Sequence, residues 1–257
     1  MIDAIPFWST IPAAALLLCA SLEAGYRLGR WRHLRTPDEK EQPVGAMVAS
    51  ILGLLAFVLG FTFSLAASRF ESRRQVVLEE ANAIGTTYLR ASFLPEPRRH
   101  EVERLLRDYV DARIVDAETR ELAEAIARSE RLQQELWAQA TEASLTAPQS
   151  ISVGLFVQSL NDLIDLHAKR LLIGVRSRIP DVIWVGLLGL TVLGVSSVGY
   201  MAGLSFTRRS PAMLGLVLAF SFVLALIADL DRSQEGLLRV SQQALFDVQK
   251  AMRPASP

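Results

Sequence analysis

Apolar residues fall into four blocks along this chain, at roughly 8–27, 44–68, 181–206 and 211–230, and the segments between them are rich in charge. Each block is close to the ~20 residues that an α-helix needs to cross ~30 Å of hydrocarbon. The pattern therefore predicts four transmembrane helices. The second block has no turn at its end. Its last part, FVLGFTFSLAASRFESRR over 57–74, passes without a break into an arginine-rich helical pattern, which predicts a helix that leaves the bilayer and continues beyond it.

Between the second and third blocks the pattern predicts extra-membrane helices at about 69–94, 98–145 and 150–178. Pro95 and Pro97 end the first. In the second, Val102, Leu105, Leu106, Tyr109, Val110 and Ile114 recur at three and four, as an amphipathic helix requires. Beyond Ala125 the stripe thins to Ile126, Leu132 and Leu136 while Arg128, Glu130 and Arg131 dominate, so that end is expected to be an exposed tip. TAPQS at 146–150 reverses the chain, and Leu155, Leu160, Leu163, Ile164, Leu171 and Leu172 line the return. Pro180 and Asp181 fit a helix start at the membrane surface. A last amphipathic helix is expected over 233–252, with RPASP as a frayed tail. The fold class is all-α integral membrane, and without strand patterns, repeats or long linkers the chain reads as a single domain over 1–257.

Composition agrees with this segregation: 51% of the residues are hydrophobic, yet basic and acidic side chains number 27 each. A balanced charge gives no basic surface for nucleic acid. The start MIDAIPFW lacks Lys and Arg and no cleavage pattern follows, so the first block reads as a retained span. Cys19 is the only cysteine, and Leu18 stands where a lipoprotein signal needs a small residue. A single cysteine excludes an intrachain disulfide and points to no thiol or zinc chemistry. Short-loop charge (Arg27, Arg30, Arg32, Arg35 and Lys40; Arg208 and Arg209) favours one orientation. The basic residues of the long segment, such as Arg69, Arg73, Arg74, Lys169 and Arg170, lie on the other side, where the rule discounts them. Charge alone leaves the orientation open.

Chemistry is sparse. His33, His100 and His167 sit on separate elements, and there is no HExxH, phosphate loop or GxSxG. Asp162 and Asp165 share a helix face that His167 does not, which reads as a polar face rather than a metal site. Nothing points to an enzyme, a cofactor or a bound metal. Glu23, an acid near the end of a span, is a functional candidate whose plain reading is an ion pair with Arg27 one turn later. Asp229 and Asp231, at the end of span four, form either a cation site or an interfacial cluster with Arg232. Gly45, Ala49 and Gly53 in span two, and Gly199 with Gly203 in span three, are small-xxx-small series that permit close helix contact. Phe57 and Phe61 follow Gly53 at four-residue steps, with Leu65 next, and fit either packing or a gate.

The stretch Phe57 to Glu71 resembles the second transmembrane helix of the bestrophin channels, in the FVLGF core, the small or hydroxylated residues after it and the pair Arg69-Phe70. The wider run RFESRRQVVLEEANAIGTTYLRASFLPEP, with LRDYVDAR and IADLDR, resembles a bacterial bestrophin-like family of membrane proteins. This resemblance covers most of the chain; the match to the channels themselves is specific over about 15 residues. It implies a pentamer around a central axis, in a bacterial inner membrane with both termini cytoplasmic. The second helix of each subunit would line a hydrophobic neck. Phe57 and Phe61 fall on two aromatic neck positions, while Gly53 stands where the channels carry a bulky aliphatic residue and would widen one ring. Vertebrate members bind calcium through a run of acids after span four; here only Asp229, Asp231 and Glu235 occupy that stretch, a departure that puts a calcium clasp in doubt.

Three readings follow. In the first the protein is a homo-oligomeric ion channel with a Phe57 and Phe61 neck; Leu65, Arg69, Arg73, Glu79, Glu80 and Asn82 line the pore or vestibule. Arg73 and Arg74 would favour anions and Glu79 and Glu80 cations, so the sign of the ion stays open. The second is a membrane sensor or scaffold acting through its charged hairpin without conduction. The third, a transporter, calls for broken helices and polar groups at mid-membrane, which spans two and four nearly lack.

Overall fold

The computed structural model describes residues 7–35, 41–114, 119–176, 178–205, 210–232 and 236–253, and among them every regular element is helical. In chain order these are α1 (Phe7–Arg35), α2 (Glu41–Ala91), α3 (Arg98–Arg113), α4 (Thr119–Thr146), α5 (Ile151–Leu171) with a π turn over Leu172–Arg176, α6 (Asp181–Leu204), α7 (Pro211–Asp231) and α8 (Gln243–Met252). Four of them, α1, α2, α6 and α7, are long and apolar enough to cross a membrane, as the hydrophobic blocks predict. Where the sequence reads as one domain, the chain divides into two compact units: Met1–Phe70 with Arg178–Arg239, and Glu71–Ser177 with Val240–Pro257.

The first unit holds the spans around a core that includes Leu18, Leu55, Leu59, Trp184, Leu187, Val195, Val217, Leu224 and Ile227. Hydroxyls within the spans bond to their own helix: Thr62 donates to Val58 O, Thr191 to Leu187 O and Ser221 to Val217 O at 2.7–2.8 Å. That satisfies them where hydrocarbon offers no partner and leaves the helices unbroken. The closest packing is between α1 and α6. A Cβ at Gly25 would lie 1.9 Å from Ser196 O and one at Gly29 2.1 Å from Tyr200 O; at Gly199 and Gly203 it would meet Leu22 O and Tyr26 O at 2.1 and 2.2 Å. Two GxxxG pairs thus face each other. Paired numbers rise together, so the helices run parallel with their backbones in contact. The series in span two is not used this way: Gly45 approaches only the Met201 side chain, and nothing lies within 4 Å of a Cβ at Gly53.

The second unit packs α3, α4, α5, α8 and the latter part of α2 around Ile84, Leu105, Leu106, Tyr109, Leu136, Phe156, Leu160, Leu163 and Leu245. Three expectations are corrected. The helix expected over 98–145 is two helices, α3 and α4; neither Gly nor Pro marks the break, so the sequence gives no turn signal there. The end expected to be an exposed tip keeps Arg128, Glu130 and Arg131 exposed but has one face covered. Ser129, Leu132, Gln133, Leu136, Ala140 and Ala143 form a covered stripe whose small and polar members look like surface in the sequence. Finally, the helix expected over 233–252 begins only at Gln243; Gly236 adopts φ +140°, a value that favours glycine and cannot continue a helix. Arg208, Arg209, Glu235 and residues 254–257 lie outside the described residues.

The α1 and α6 contact yields a direct test. Gly25→Val or Gly199→Val sets a side chain into backbone that cannot move aside, and is expected to lower stability by ~1–3 kcal/mol or more. Thermal unfolding in detergent measures it. Gly186→Ala and Gly215→Ala, where nothing lies within 4 Å, are expected to behave as wild type.

Candidate functional site

The candidate site is built on α2, which carries two opposite stripes along its length. Leu55, Leu59, Thr62 and Ala66, and then Arg73, Val77, Glu80, Ile84, Thr87 and Ala91, recur at three and four within each set and are all buried, with a seven-residue step between the two sets. Two residues further on in each repeat lies the open stripe: Phe57 (71% exposed) and Phe61 (68%), then Ser64 and Ser68, then Gln75, Glu79, Asn82 and Thr86. Only Glu79 among these is partly covered. At 1.5 Å per residue the two Phe rings are about 6 Å apart along the helix. Gly53 lies on the same side, exposed, with Leu65 and Arg69 half-buried at its flank.

Arg73 and Glu80, expected to line a vestibule, belong to the buried stripe, at 5% and 0% exposure. The reason is their register with Val77 and Ile84, which points them into the helical unit. Glu80 is the hub there. Arg113 of α3 donates from Nε to its Oε1 at 2.7 Å, and Arg170 of α5 donates to Oε2. Tyr109 Oη stands 3.5 Å from Glu80 Oε1 and from His167 Nδ1, and accepts from Gln133 Nε2 at 3.1 Å. Helices α2, α3 and α5 thus meet through one carboxylate, and Gln133 of α4 joins through Tyr109. Burial pushes its pKa up, but the guanidiniums of Arg170 and Arg113 outweigh burial and hold it below the ordinary value. Burial first, then the Arg113 charge, pushes His167 down to about 4. Burial also raises Tyr109. Glu79, by contrast, binds Lys169 at the surface at 2.7 Å, and this bond lowers its pKa. The sequence held a signal for the hub: an acid on the apolar stripe of α2 with an arginine on each stripe of α3 and α5.

The remaining candidates have local partners. Glu23 takes Arg27 Nε at 2.8 Å, the plain reading of that pair. Asp229, weighed as a cation ligand, instead accepts the backbone N–H groups of Leu237 and Leu238 at 2.9 and 3.0 Å, and a Cβ at Gly236 would strike its Oδ1. Asp231 accepts Ile179 N–H at 2.8 Å and Trp184 Nε1–H at 3.4 Å, joining the end of α7 to the start of α6. Both carboxylates therefore serve as backbone caps. Asp162 and Asp165 are exposed while His167 is buried, and among the described residues no group of three His, Cys, Asp or Glu fits a metal.

Residues 14–245 match the family model of the Bestrophin-like domain. The chain belongs to the bestrophin-like family. No curated protein matches it in sequence. Solved structures share the fold: a single-substitution variant of a bacterial bestrophin homologue from Klebsiella pneumoniae superposes with TM-score 0.69 at 12% identity, covering 96% of this chain and 97% of that one. A second structure of a Klebsiella pneumoniae bestrophin homologue gives 0.67 at 13%, covering 95% and 96%. A crystallised membrane protein variant gives 0.68 at 14%, covering 96% and 97%. At these identities the likeness is one of fold, and it spans both units of this bestrophin-like chain.

Two outcomes are expected of the bestrophin-like hub. Glu80→Gln leaves two guanidiniums without their counter-charge and is expected to cost about 3–5 kcal/mol, read as faster hydrogen exchange in α3 and α5. The second concerns acid. His167 faces Arg113, Arg170, Glu80 and Tyr109 and stays neutral when folded down to about pH 4, against an ordinary 6.5. Between those values the unfolded chain binds a proton that the folded chain does not, so stability should fall as pH drops through that window. His167→Gln should flatten the slope in pH-dependent thermal unfolding. The Glu80 contribution, present above the ordinary carboxylate range, is lost only at lower pH.

Proposed function

We propose that this protein is a homo-oligomeric ion channel, a pentamer in the bacterial inner membrane with both termini cytoplasmic, in which α2 of each subunit lines the pore. The observation that carries this reading is the open face of α2 in each unit. It is aromatic at Phe57 and Phe61, hydroxylated at Ser64 and Ser68, and polar at Gln75, Glu79 and Asn82. Within the span, a lipid-facing helix gains nothing from the exposed hydroxyls of Ser64 and Ser68, whereas an aqueous lumen with one short apolar constriction calls for aromatic and then hydroxylated positions in this order.

In this reading Phe57 and Phe61 form two rings that dewet the neck, and Gly53 widens the ring beside them. Leu65 and Arg69 lie beside the open face just beyond the neck, and Glu79 and Asn82 face the vestibule. Arg73 and Glu80 hold α2 from its buried side and do not meet ions. The solved Klebsiella pneumoniae bestrophin homologues support the channel class through the shared fold.

Two measurements test it. The purified protein is expected to have the mass of five subunits in detergent; a monomer or dimer without conduction would favour the scaffold reading. Phe57→Ala combined with Phe61→Ala is expected to raise liposome ion flux several-fold by removing both apolar rings. Unchanged flux from an intact oligomer would remove the neck from these residues.

A further inference from the structure

Helix α2 holds an unspent hydrogen-bond donor inside its membrane span. Elsewhere in the spans hydroxyls return their protons to the carbonyl one turn back: Ser21 to Leu17 O, Ser50 to Ala46 O, Thr62 to Val58 O, Thr191 to Leu187 O and Ser221 to Val217 O, at 2.7–2.9 Å. Ser64 makes no such bond to Gly60 O and, among the described residues, its hydroxyl has no other partner. Exposure does not explain the difference, because Ser50 on the same helix is exposed as well and still bonds to Ala46 O. Ser64 stands about 4.5 Å beyond Phe61 along the axis, on the open face that carries both Phe rings. The space beside it is clear, since nothing lies within 4 Å of a Cβ at Gly60 one turn back.

We propose that Ser64 is a specificity-determining residue of the pore, whose hydroxyl donates to a partly dehydrated monovalent anion beside the Phe57 and Phe61 neck. This rests on the pore reading and assigns the class of ion that the reading leaves open. A cation would bind hydroxyl lone pairs, which a back-bonded group such as Ser50 still offers, so it gives no reason to leave the proton unspent. An anion needs that proton. The span agrees in sign: from Gln42 to Phe70 there is no Asp or Glu, and the charged residue is Arg69. An ion between two apolar rings gives up part of its water, and one hydroxyl from each subunit directly beyond them supplies donors in place of it. The gain is greater for chloride, which holds its water tightly, than for thiocyanate, which sheds it easily.

The test is the reversal potential of the full-length protein in planar bilayers under gradients of potassium chloride and of potassium thiocyanate. Wild type is expected to pass anions over potassium. Ser64→Ala and Ser64→Val should each lower the chloride-to-thiocyanate permeability ratio about threefold or more, the loss of one hydrogen bond to the ion. Ser64→Thr, which keeps a hydroxyl, should stay nearer to wild type than its isostere Ser64→Val. Ser50→Ala, on the same helix, should leave the ratio unchanged. A substitution that only impaired folding or assembly would reduce the number of conducting oligomers and leave the ratio alone. A cation-selective wild type, or a conducting Ser64→Ala oligomer with the wild-type ratio, would overturn the proposal while the pore reading stands. A folded oligomer that conducts ions of neither sign would overturn both.

Discussion

A carboxylate with no exposure must have its charge answered by its neighbours, and Glu80 is answered by Arg113 and Arg170. Much of the extra-membrane unit follows from that constraint. An unpaired buried charge is far costlier than a paired one, so α3 and α5 are held in the register that brings both guanidiniums to α2. Tyr109, Gln133 and His167 extend the same network into α4 and the rest of α5. Apolar packing around Leu106, Phe156 and Leu160 supplies most of the burial, but it would tolerate a shifted register more readily than the ion cluster does.

Helix α2 runs from Glu41 to Ala91, and within each unit its buried face lies opposite an open one. In the first unit residues 55, 59, 62 and 66 are buried and Phe57, Phe61 and Ser64 are open; in the second, residues 73, 77, 80 and 84 are buried, Gln75 and Asn82 are open and Glu79 is partly covered. In the membrane unit the equivalent constraint is the α1 and α6 backbone contact, which admits only glycine at four positions.

Much of this was legible in the sequence. Four spans and an unbroken α2 follow from block length and the absence of helix breakers. What was not legible involves pairing between distant segments. Gly199 and Gly203 were visible as a pair, but their match to Gly25 and Gly29 is a fact about two helices about 170 residues apart. Arg73 and Glu80 look like pore charges until their register with Val77 and Ile84 is counted. The break after Arg113 carries no Gly or Pro, and Ser129, Gln133 and Ala140 hide a buried stripe because each is small or polar. Asp229 looked like a cation ligand because the backbone N–H groups it accepts from belong to a turn, set by Gly236, that the helical pattern did not suggest.

The central claim is that the open stripe of α2 faces water in the assembled protein. Cysteine accessibility tests it most directly: in a Cys19→Ala background, Ser64→Cys and Ser68→Cys are treated in proteoliposomes with a charged, membrane-impermeant thiol reagent. The account expects both to react and the reaction to change ion flux, while Leu218→Cys on the exposed side of α7 stays unmodified. Failure of both serines to react, in an oligomer of normal mass, would contradict it.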